Sequence, residues 1–286
     1  MRYQTDTAFR TALEERLRQR AEQDGEPILR LRKRIVFERC MVRLQQDENS
    51  PWVLKGGFAL ELRLGNIARM TKDLDLTADL GFFSTETATV SRLSDRMRED
   101  LKKENDDRFV FLVTEGSEEE LPTQGVKSYR FSLEARLDGR IFERITVDVG
   151  VGDPLIPPLE EVEASDLLSF AGISVPKIRV TSVAQHFAEK VHALTRPFDD
   201  RLNTRVKDLA DLMLFAEHEL PRPGDVKLAV TEIFGNRKTH EIPSRIEIPP
   251  ATWSDSYSAI ATQLNLNEKT IESATSRLND YWKTVF

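Results

Sequence analysis

The segment "TKDLDLT", residues 71–77, contains two aspartates at positions i and i+2. Side chains alternate across a β-strand, so residues with this spacing share one face about 7 Å apart. In a strand, Asp73 and Asp75 would therefore face one polar surface, while Leu74 and Leu76 would anchor the opposite face in a core. The spacing predicts a strand that directs two carboxylates to the same side.

A third carboxylate occurs in the same register of a later segment, "RITVDVGVGD", residues 144–153. The apolar residues at odd positions form one strand face, which leaves Asp148 on the other. Three carboxylates on neighbouring strands repel one another and lose hydration, unless a cation compensates them. Carboxylate oxygens suit Mg²⁺ or Mn²⁺, and Mg²⁺ is often held together with substrate phosphates. We therefore expect Asp73, Asp75 and Asp148 to be catalytic metal ligands.

A glycine pair, Gly56 and Gly57, precedes a helix-like run. Glycines without Cβ atoms let the backbone approach a phosphate, and the N-terminus of a helix offers unpaired N–H groups to it. A plain turn is the commoner role of two glycines, and aspartates at i and i+2 are also frequent on solvated strand edges. The combination of the glycine pair, the aspartate pair and a third aspartate is more specific than any one of them.

The surrounding pattern predicts an α+β fold, in which a core with a mixed sheet and flanking helices is followed by a helical half. Apolar residues at helical spacing indicate an N-terminal helical region over residues 1–45. Strands and helices mix over residues 46–153. The segment "GVGDPLIPPLEEVEAS", residues 150–165, is the linker candidate, because its prolines at 154, 157 and 158 oppose both a helix and a central strand. Residues 154–286 are expected to form a mainly helical domain.

The composition is that of an ordinary globular protein, with 286 residues, 40% hydrophobic residues and a net charge of −7. The charge argues against a generally basic nucleic-acid coat, although a local basic surface can still bind phosphates. No apolar run approaches the ~20 residues that span a bilayer, and the N-terminus lacks a signal-peptide pattern. We expect a cytoplasmic protein without a membrane partner.

Four separated motifs together resemble a known family: "GG...R.T.DLD", "VDVG", "AEKVHAL" and "RVKDLADL". In this order they look like the AbiEii/AbiGii-type toxins, nucleotidyltransferases of the polymerase-beta-like superfamily, and most closely the MenT-type branch. The resemblance covers about residues 30–215. It implies a nucleotidyltransferase core over residues 46–153, and it implies that the mainly helical domain over residues 154–286 completes the active site. The family often has Gly-Ser where this chain has Gly56-Gly57.

The resemblance implies a metal-dependent transfer of a nucleotide from an NTP, CTP or GTP most readily, to the tRNA 3′ end. It also implies a cognate antitoxin as partner and growth inhibition when the antitoxin is missing. Lys190 and Asp211 match the lysine and aspartate of the family site and join the catalytic candidates. The nucleotide-binding candidates are Lys55, Gly56, Gly57, Arg69, Lys190 and Asp208.

The local sequence leaves a second interpretation open for the helical candidates. Lys190 stands at the edge of an apolar helix stripe, where an ammonium could reach into a cleft. Asp208 and Asp211 share one helix face, but a surface salt bridge from Lys207 to Asp211 at i, i+4 would explain that pattern equally well.

Thr71 is a candidate site of regulatory phosphorylation, because a phosphoryl group beside Asp73 would compete for metal and repel the NTP. A threonine that merely suits a strand is the simpler interpretation. The candidate RNA-binding residues are two arginine groups: Arg30, Arg32 and Arg34, then Arg196, Arg201 and Arg205. A solvated helix face is the alternative for the first group.

Two other functions are compatible with the aspartate pair. One is a glycosyltransferase, whose D-x-D motif binds a metal and a nucleotide diphosphate but does not need Asp148 or Lys190 at these places. The other is a catalytically inactive RNA- or antitoxin-binding module with the same fold. Such a module would be expected to lack a carboxylate or the lysine, and this chain retains them.

Overall fold

The computed structural model describes residues 2–119, 126–197 and 205–286. A pair of N-terminal helices, α1 and α2, comes first (α1 Asp6–Asp24, α2 Ile28–Leu44). Helix α1 begins where the Thr5 side chain accepts the backbone N–H of Ala8, and it ends at Gly25 in the left-handed conformation. Its buried residues, Phe9, Leu13 and Leu17, recur every four positions, as the apolar face of a helix requires.

A mixed sheet forms the centre of the first part of the molecule. In the described residues the strand order is β3-β4-β5-β2-β1-β7-β6. Strand β2 pairs antiparallel with β1 and parallel with β5. The strands are β1 Trp52–Lys55, β2 Asp73–Ala78, β3 Val110–Glu119, β4 Lys127–Leu137, β5 Arg140–Val151, β6 Glu160–Glu163 and β7 Lys177–Val180.

The two faces of this sheet have different roles. Leu74, Leu76, Val147 and Val149 are fully buried and belong to one apolar cluster with residues of α1 and α2. Helix α4 (Val90–Leu101) packs against α2 and β3. The alternation that buries these leucines and valines leaves the aspartates of β2 and β5 on the opposite face.

The C-terminal part is helical and has its own apolar core, in which Phe187, Leu212, Phe215 and Trp282 are buried. Helix α5 packs against α6 and α7. Helix α3, by contrast, follows β1 directly and packs on β2. The remaining helices are α3 Gly56–Leu64, α5 Val183–Thr195, α6 Val206–His218, α7 Pro223–Arg237, α8 Ser254–Gln263 and α9 Ile271–Val285.

The predicted fold class is confirmed: a mixed sheet with flanking helices is followed by a helical half. Two strands were not predicted. β6 lies inside the expected linker, and β7 pairs parallel with β1, so the sheet continues to Val180 rather than ending near residue 153. In the described part of the chain, no helix is long and apolar enough to cross a membrane.

Candidate active site

Asp75 and Asp148 lie directly opposite each other on two parallel strands. The β2–β5 register pairs Asp75 with Asp148 and Asp73 with Thr146. Arg130 on β4, opposite Asp148, donates two hydrogen bonds of 2.8 Å to the Asp148 carboxylate. Asp73 begins β2 and is half-buried. The three carboxylates thus lie at the predicted strand positions, and one of them is oriented by an arginine.

The glycine pair is required by the packing of Asp75 and Thr71. Gly56 has φ +66°, and a Cβ there would stand 2.1 Å from Oδ2 of Asp75. A Cβ on Gly57 would stand 2.7 Å from Oγ1 of Thr71. The backbone N–H of Gly57 hydrogen-bonds to Asp75. Any side chain at Gly56 would therefore displace the Asp75 carboxylate.

Thr71 precedes β2 and is buried, and its hydroxyl donates to the backbone oxygen of Asp73 at 3.3 Å. A kinase would need local opening to reach this hydroxyl. Phosphorylation of Thr71 stays a prediction.

Lys190 and Asp211 form the centre of a buried ionic cluster between α5 and α6. Lys190 Nζ lies 2.8 Å from Asp208 and 2.7 Å from Asp211, and Arg69 donates two hydrogen bonds of 2.9 Å to Asp211. Burial opposes the charge on Lys190, but Asp208 and Asp211 outweigh it and raise its pKa. Burial likewise works against ionisation of Asp211, and the two cations prevail and lower its pKa. The interpretation of Asp211 as part of a surface salt bridge with Lys207 is wrong, because Asp211 is fully buried and pairs with Lys190 and Arg69.

Lys190, Arg69, Asp75 and Asp148 line one cleft of about 370 Å³. Its volume falls within the range of small-molecule sites. Asp73 and Asp211 do not line the cleft. In the sequence they stand two positions from Asp75 and three from Asp208, which do line it. The predicted site residues in its wall are Lys55, Gly56, Gly57, Arg69, Asp75, Asp148, Lys190, Arg196, Arg205 and Asp208.

The electrostatics of the two opposed carboxylates favour a bound cation. Burial, together with the charge of Asp148, raises the pKa of Asp75 to about 6, although Lys55 and Lys190 act in the other direction. Within the residues described, no group of three or more acidic, histidine or cysteine side chains has the geometry of a metal site. Asp75 and Asp148 are nevertheless hard oxygen donors on adjacent strands, the donor type that Mg²⁺ and Mn²⁺ take. The pair fits a site that substrate phosphates complete.

Comparison with known proteins assigns the fold and the family. Residues 39–283 match a family model described as "Nucleotidyl transferase AbiEii toxin, Type IV TA system". This chain belongs to the AbiEii family. The resemblance drawn from the four motifs is thereby confirmed, and the chain is a member of a family of nucleotidyltransferase toxins from toxin–antitoxin systems. Members of such families generally use an NTP and a divalent metal. A search of curated proteins found no match.

Two solved structures are similar to this AbiEii-family chain. MenT4, a nucleotidyltransferase toxin from Mycobacterium tuberculosis H37Rv, has a TM-score of 0.56 at 19% identity, over 88% of this chain and 82% of that chain. A nucleotidyltransferase candidate from H. pylori has a TM-score of 0.44 at 16% identity, over 88% of this chain and 93% of that chain. The first supports the fold, and we draw no argument from the second.

The expectation of an open basic surface at Arg30, Arg32 and Arg34 is corrected by the structure. Arg30 is buried and donates to Glu61 and to the backbone oxygen of Ala68. Arg34 also donates to Glu61, and Arg32 lies 3.9 Å from the ring centre of Phe142. The guanidinium groups of Arg30 and Arg34 also pair with Glu26, and that of Arg32 lies 3.8 Å from Glu14 and 3.9 Å from Glu143. These acids engage the three arginines within the protein, and Arg30 is in addition buried. The alternative of a solvated helix face fails for Arg30 for the same reason.

The second arginine group has a different outcome. Arg196 and Arg205 line the cleft, which keeps them as candidates for RNA contact. Arg201 lies outside the described residues.

Sequence reasoning did not select several residues that line the cleft. Asp153, Glu189, His192, His186 and Arg237 all line the cleft. Asp153 follows β5 and precedes Pro154, and this position in the sequence is only a weak indication of a functional residue. Arg237 ends α7, 84 positions from the Asp153 that it contacts, so no local pattern could have identified it.

His186, one of the residues that line the cleft, has an unusual environment. It is 1% exposed, and in the described structure neither ring nitrogen has a hydrogen-bond partner. Burial, and then the nearby charge of Lys190, lower its pKa well below the ordinary value. The imidazole is therefore neutral and carries the energetic cost of two unsatisfied buried nitrogens.

Proposed function

We propose that this AbiEii-family protein transfers a nucleotide from an NTP to an RNA hydroxyl, with the tRNA 3′ end as acceptor and with Mg²⁺ or Mn²⁺ bound. One observation carries the proposal. Asp75 and Asp148 are opposed in register at the wall of a cleft whose other lining groups include Lys55, Arg69 and Lys190. Carboxylates for a metal and cations for phosphates are the two requirements of nucleotidyl transfer.

The carboxylates would hold the metal and orient the attacking group. Asp75 and Asp148 would be ligands, with Asp73 completing the set from the same face of β2. Bound Mg²⁺ would supply Lewis-acid stabilisation of charge on the phosphate oxygens. Asp148 would accept the proton of the attacking hydroxyl, and Arg130 orients its carboxylate. Most of the catalysis would then be positioning and electrostatic stabilisation.

The cations would bind the triphosphate. Lys190 and Arg69 share Asp211, whose buried charge fixes both side chains at the cleft. A lysine held in this way can neutralise phosphate charge without a large reorganisation. Gly56 and Gly57 would bring the start of α3 close to a phosphate, and Asp208 would set the position of the Lys190 ammonium.

Three further points follow from the family and remain proposals. CTP or GTP would be the preferred nucleotide. Modification of the tRNA end would block translation and make the protein toxic. A cognate antitoxin would relieve that toxicity, with or without direct contact.

The test is a transfer assay with purified protein, total tRNA and Mg²⁺, in which each α-labelled NTP is supplied separately. We expect one NTP, CTP or GTP, to label the 3′ end of tRNA, and we expect Asp75→Asn to remove the label. Periodate oxidation of the tRNA ribose diol should also remove it, because the acceptor hydroxyls are then lost. Labelling that persists in Asp75→Asn, or its absence with every NTP, would overturn the proposal.

A further inference from the structure

A second buried aspartate anchors a lysine and an arginine at the wall of the cleft. Asp153 is 2% exposed and accepts hydrogen bonds of 2.8 and 2.7 Å from Arg237. Nζ of Lys55 lies 3.4 Å from the same carboxylate. The arrangement repeats that of Asp211 with Lys190 and Arg69, and all four cations line the cleft. Each cluster also contains a second acid, Glu189 at 4.0 Å from Nζ of Lys55 and Asp208 at 2.8 Å from Nζ of Lys190, so two cations face two carboxylates in both.

The guanidinium of Arg237 is held without using all of its donors. Arginine has five N–H donors and no acceptor. Among the described residues, Asp153 takes two of these donors, and Nδ1 of His192 takes a third at 3.2 Å. The Arg237 side chain is 14% exposed and contributes to the cleft wall. A planar fork fixed in this way suits a phosphate, which guanidinium groups bind through paired hydrogen bonds.

A directional chain of hydrogen bonds supports Arg237 from behind. Because arginine only donates, Nδ1 of His192 accepts, and its Nε2–H donates to the Thr239 hydroxyl at 2.8 Å. Thr239 in turn donates to Nδ1 of His240 at 2.9 Å, and Nε2–H of His240 donates to Thr195 Oγ1 at 2.8 Å. The chain ends where Thr195 donates to the backbone oxygen of Val191 at 2.9 Å.

The two ends of this hydrogen-bond chain determine which atom of each member donates and which accepts. A donor-only guanidinium stands at one end and an acceptor-only carbonyl at the other, so both imidazoles are neutral with the proton on Nε2. Burial, and then the charge of Arg237, lower the pKa of His192 to about 3. Burial, and then Arg196, lower the pKa of His240. The chain therefore remains intact at neutral pH and fixes the rotamer of Arg237.

We propose that Arg237 is a further nucleotide-binding residue, which contacts the triphosphate of the substrate NTP beside Lys55 and is positioned by the chain His192, Thr239, His240 and Thr195. The inference rests on the proposed function, because it presumes that a nucleoside triphosphate occupies the cleft. The phosphates of the acceptor RNA are the other source of the same chemistry, and the experiment separates the two sources.

The first test measures binding of inorganic tripolyphosphate with Mg²⁺ by calorimetry, which requires no turnover. Arg237→Lys keeps the charge next to Asp153 but loses the planar fork. We expect its affinity to fall about 10-fold, since a charge-assisted hydrogen bond to phosphate is lost. The control is Arg222→Lys, at an exposed arginine that precedes the same helix and lies outside the cleft. Its affinity should match that of the unaltered protein.

In transfer assays, Arg237→Lys should raise the NTP KM by a similar factor and leave the RNA KM within about 2-fold. A folded Arg237→Lys protein with unchanged tripolyphosphate affinity would overturn the inference. A raised RNA KM with an unchanged NTP KM would also overturn it and assign Arg237 to the acceptor.

A second pair of variants tests the positioning chain and leaves the contact of Arg237 with Asp153 in place. Thr239→Val removes the hydroxyl at nearly constant volume, whereas Thr239→Ser keeps it. We expect Thr239→Val to raise the NTP KM about 3-fold, because His192 loses the neutral hydrogen bond that orients it toward Arg237, and Thr239→Ser to restore it. Equal NTP KM values for the two variants would remove the positioning role.

The failure of this inference and that of the proposed function can be told apart. If the protein binds tripolyphosphate through Arg237 but transfers no nucleotide, the proposed function fails and the assignment of Arg237 to a triphosphate site stands. If transfer depends on Asp75 while Arg237→Lys behaves as the unaltered protein does, only the inference fails.

Discussion

At the scale of single residues, Asp75 is the group on which the proposed chemistry depends most. It lies opposite Asp148, is enclosed by Gly56, and accepts the N–H of Gly57. We predict that Asp75→Asn lowers transfer at least about 100-fold, because charge stabilisation at the transition state is lost. In metal-free buffer its Tm should equal or exceed that of the unaltered protein, since the substitution removes a buried like-charge contact.

Activity assays at saturating Mg²⁺ and thermal unfolding in EDTA check this prediction. Near-normal turnover would contradict the metal assignment. A large loss of Tm would instead indicate that Asp75 is structural.

Lys190 and Lys207 provide a matched comparison of two lysines 17 positions apart. Lys190 is buried with Asp208 and Asp211, whereas Lys207 is exposed. A buried ammonium acts through a low effective dielectric, and an exposed one is screened by solvent. We predict that Lys190→Ala raises the NTP KM or lowers kcat about 10-fold or more, and that Lys207→Ala changes either by less than about 2-fold. Equal effects would argue against a special role for Lys190.

His186 leads to a prediction about stability. Since neither of its buried nitrogens has a partner in the described structure, an apolar side chain of similar size should fit at lower cost. We predict that His186→Leu raises the free energy of unfolding by about 1 kcal/mol, measured by urea denaturation. His218→Leu, at an exposed histidine on α6, is the control and should change it little. Destabilisation by His186→Leu would mean that the imidazole has a structural partner.

At the scale of elements, helix α2 is held to the chain after β6 by a buried carboxylate. Glu38 accepts the backbone N–H and the hydroxyl of Ser165, both at 2.9 Å. Burial raises its pKa to about 7, although Ser165, Arg39 and Arg34 all act to lower it. The folded protein thus binds the Glu38 proton more tightly than the unfolded chain does. The stability that this proton contributes is lost as the pH rises from the unfolded-state pKa, near 4.5, through the folded-state pKa of about 7.

We predict that Glu38→Gln abolishes this loss of stability at rising pH. The glutamine carbonyl can accept the Ser165 N–H, and its amide can donate to the hydroxyl. Between pH 5 and pH 8, the stability of the unaltered protein should fall relative to that of the variant by roughly 3 kcal/mol at most. Urea unfolding at the two pH values measures it, with Glu161→Gln as the exposed control. Parallel pH profiles for Glu38→Gln and the unaltered protein would contradict the pKa shift.

The sequence was informative wherever local periodicity decides the structure. The alternation in "TKDLDLT" and "RITVDVG" placed Asp75 and Asp148 on one face of the sheet, and the strand register agrees with it. Strands β6 and β7 were missed because each has only four residues and the glutamates of β6 resemble a polar loop. The roles of Arg30 and Arg34 could not be predicted from the neighbouring sequence either, because both side chains pair with Glu61, about 30 positions away.

At the scale of the whole molecule, the proposed action on RNA requires that this acidic chain has a surface that attracts phosphates. The net charge is −7, and the arginines of α2 are engaged within the protein. Arg196 and Arg205 at the cleft are therefore the remaining described candidates. We predict that the double change Arg196→Ala and Arg205→Ala raises the RNA KM and flattens its salt dependence, while the NTP KM changes little.

The salt dependence is measured by titrating KCl in the transfer assay. The control is Arg92→Ala, at an exposed arginine of helix α4, which should leave both KM values unchanged. An unaltered salt slope in the double variant would place the RNA surface elsewhere.

The central claim is that the cleft transfers a nucleotidyl group and not a phosphoryl group. The most direct measurement compares α-labelled with γ-labelled NTP, in parallel reactions that contain tRNA and Mg²⁺. The account predicts that the α label enters RNA and the γ label leaves as pyrophosphate in equal amount, and that both signals disappear in Asp75→Asn. Entry of the γ label into RNA, or release of pyrophosphate without RNA labelling, would contradict it.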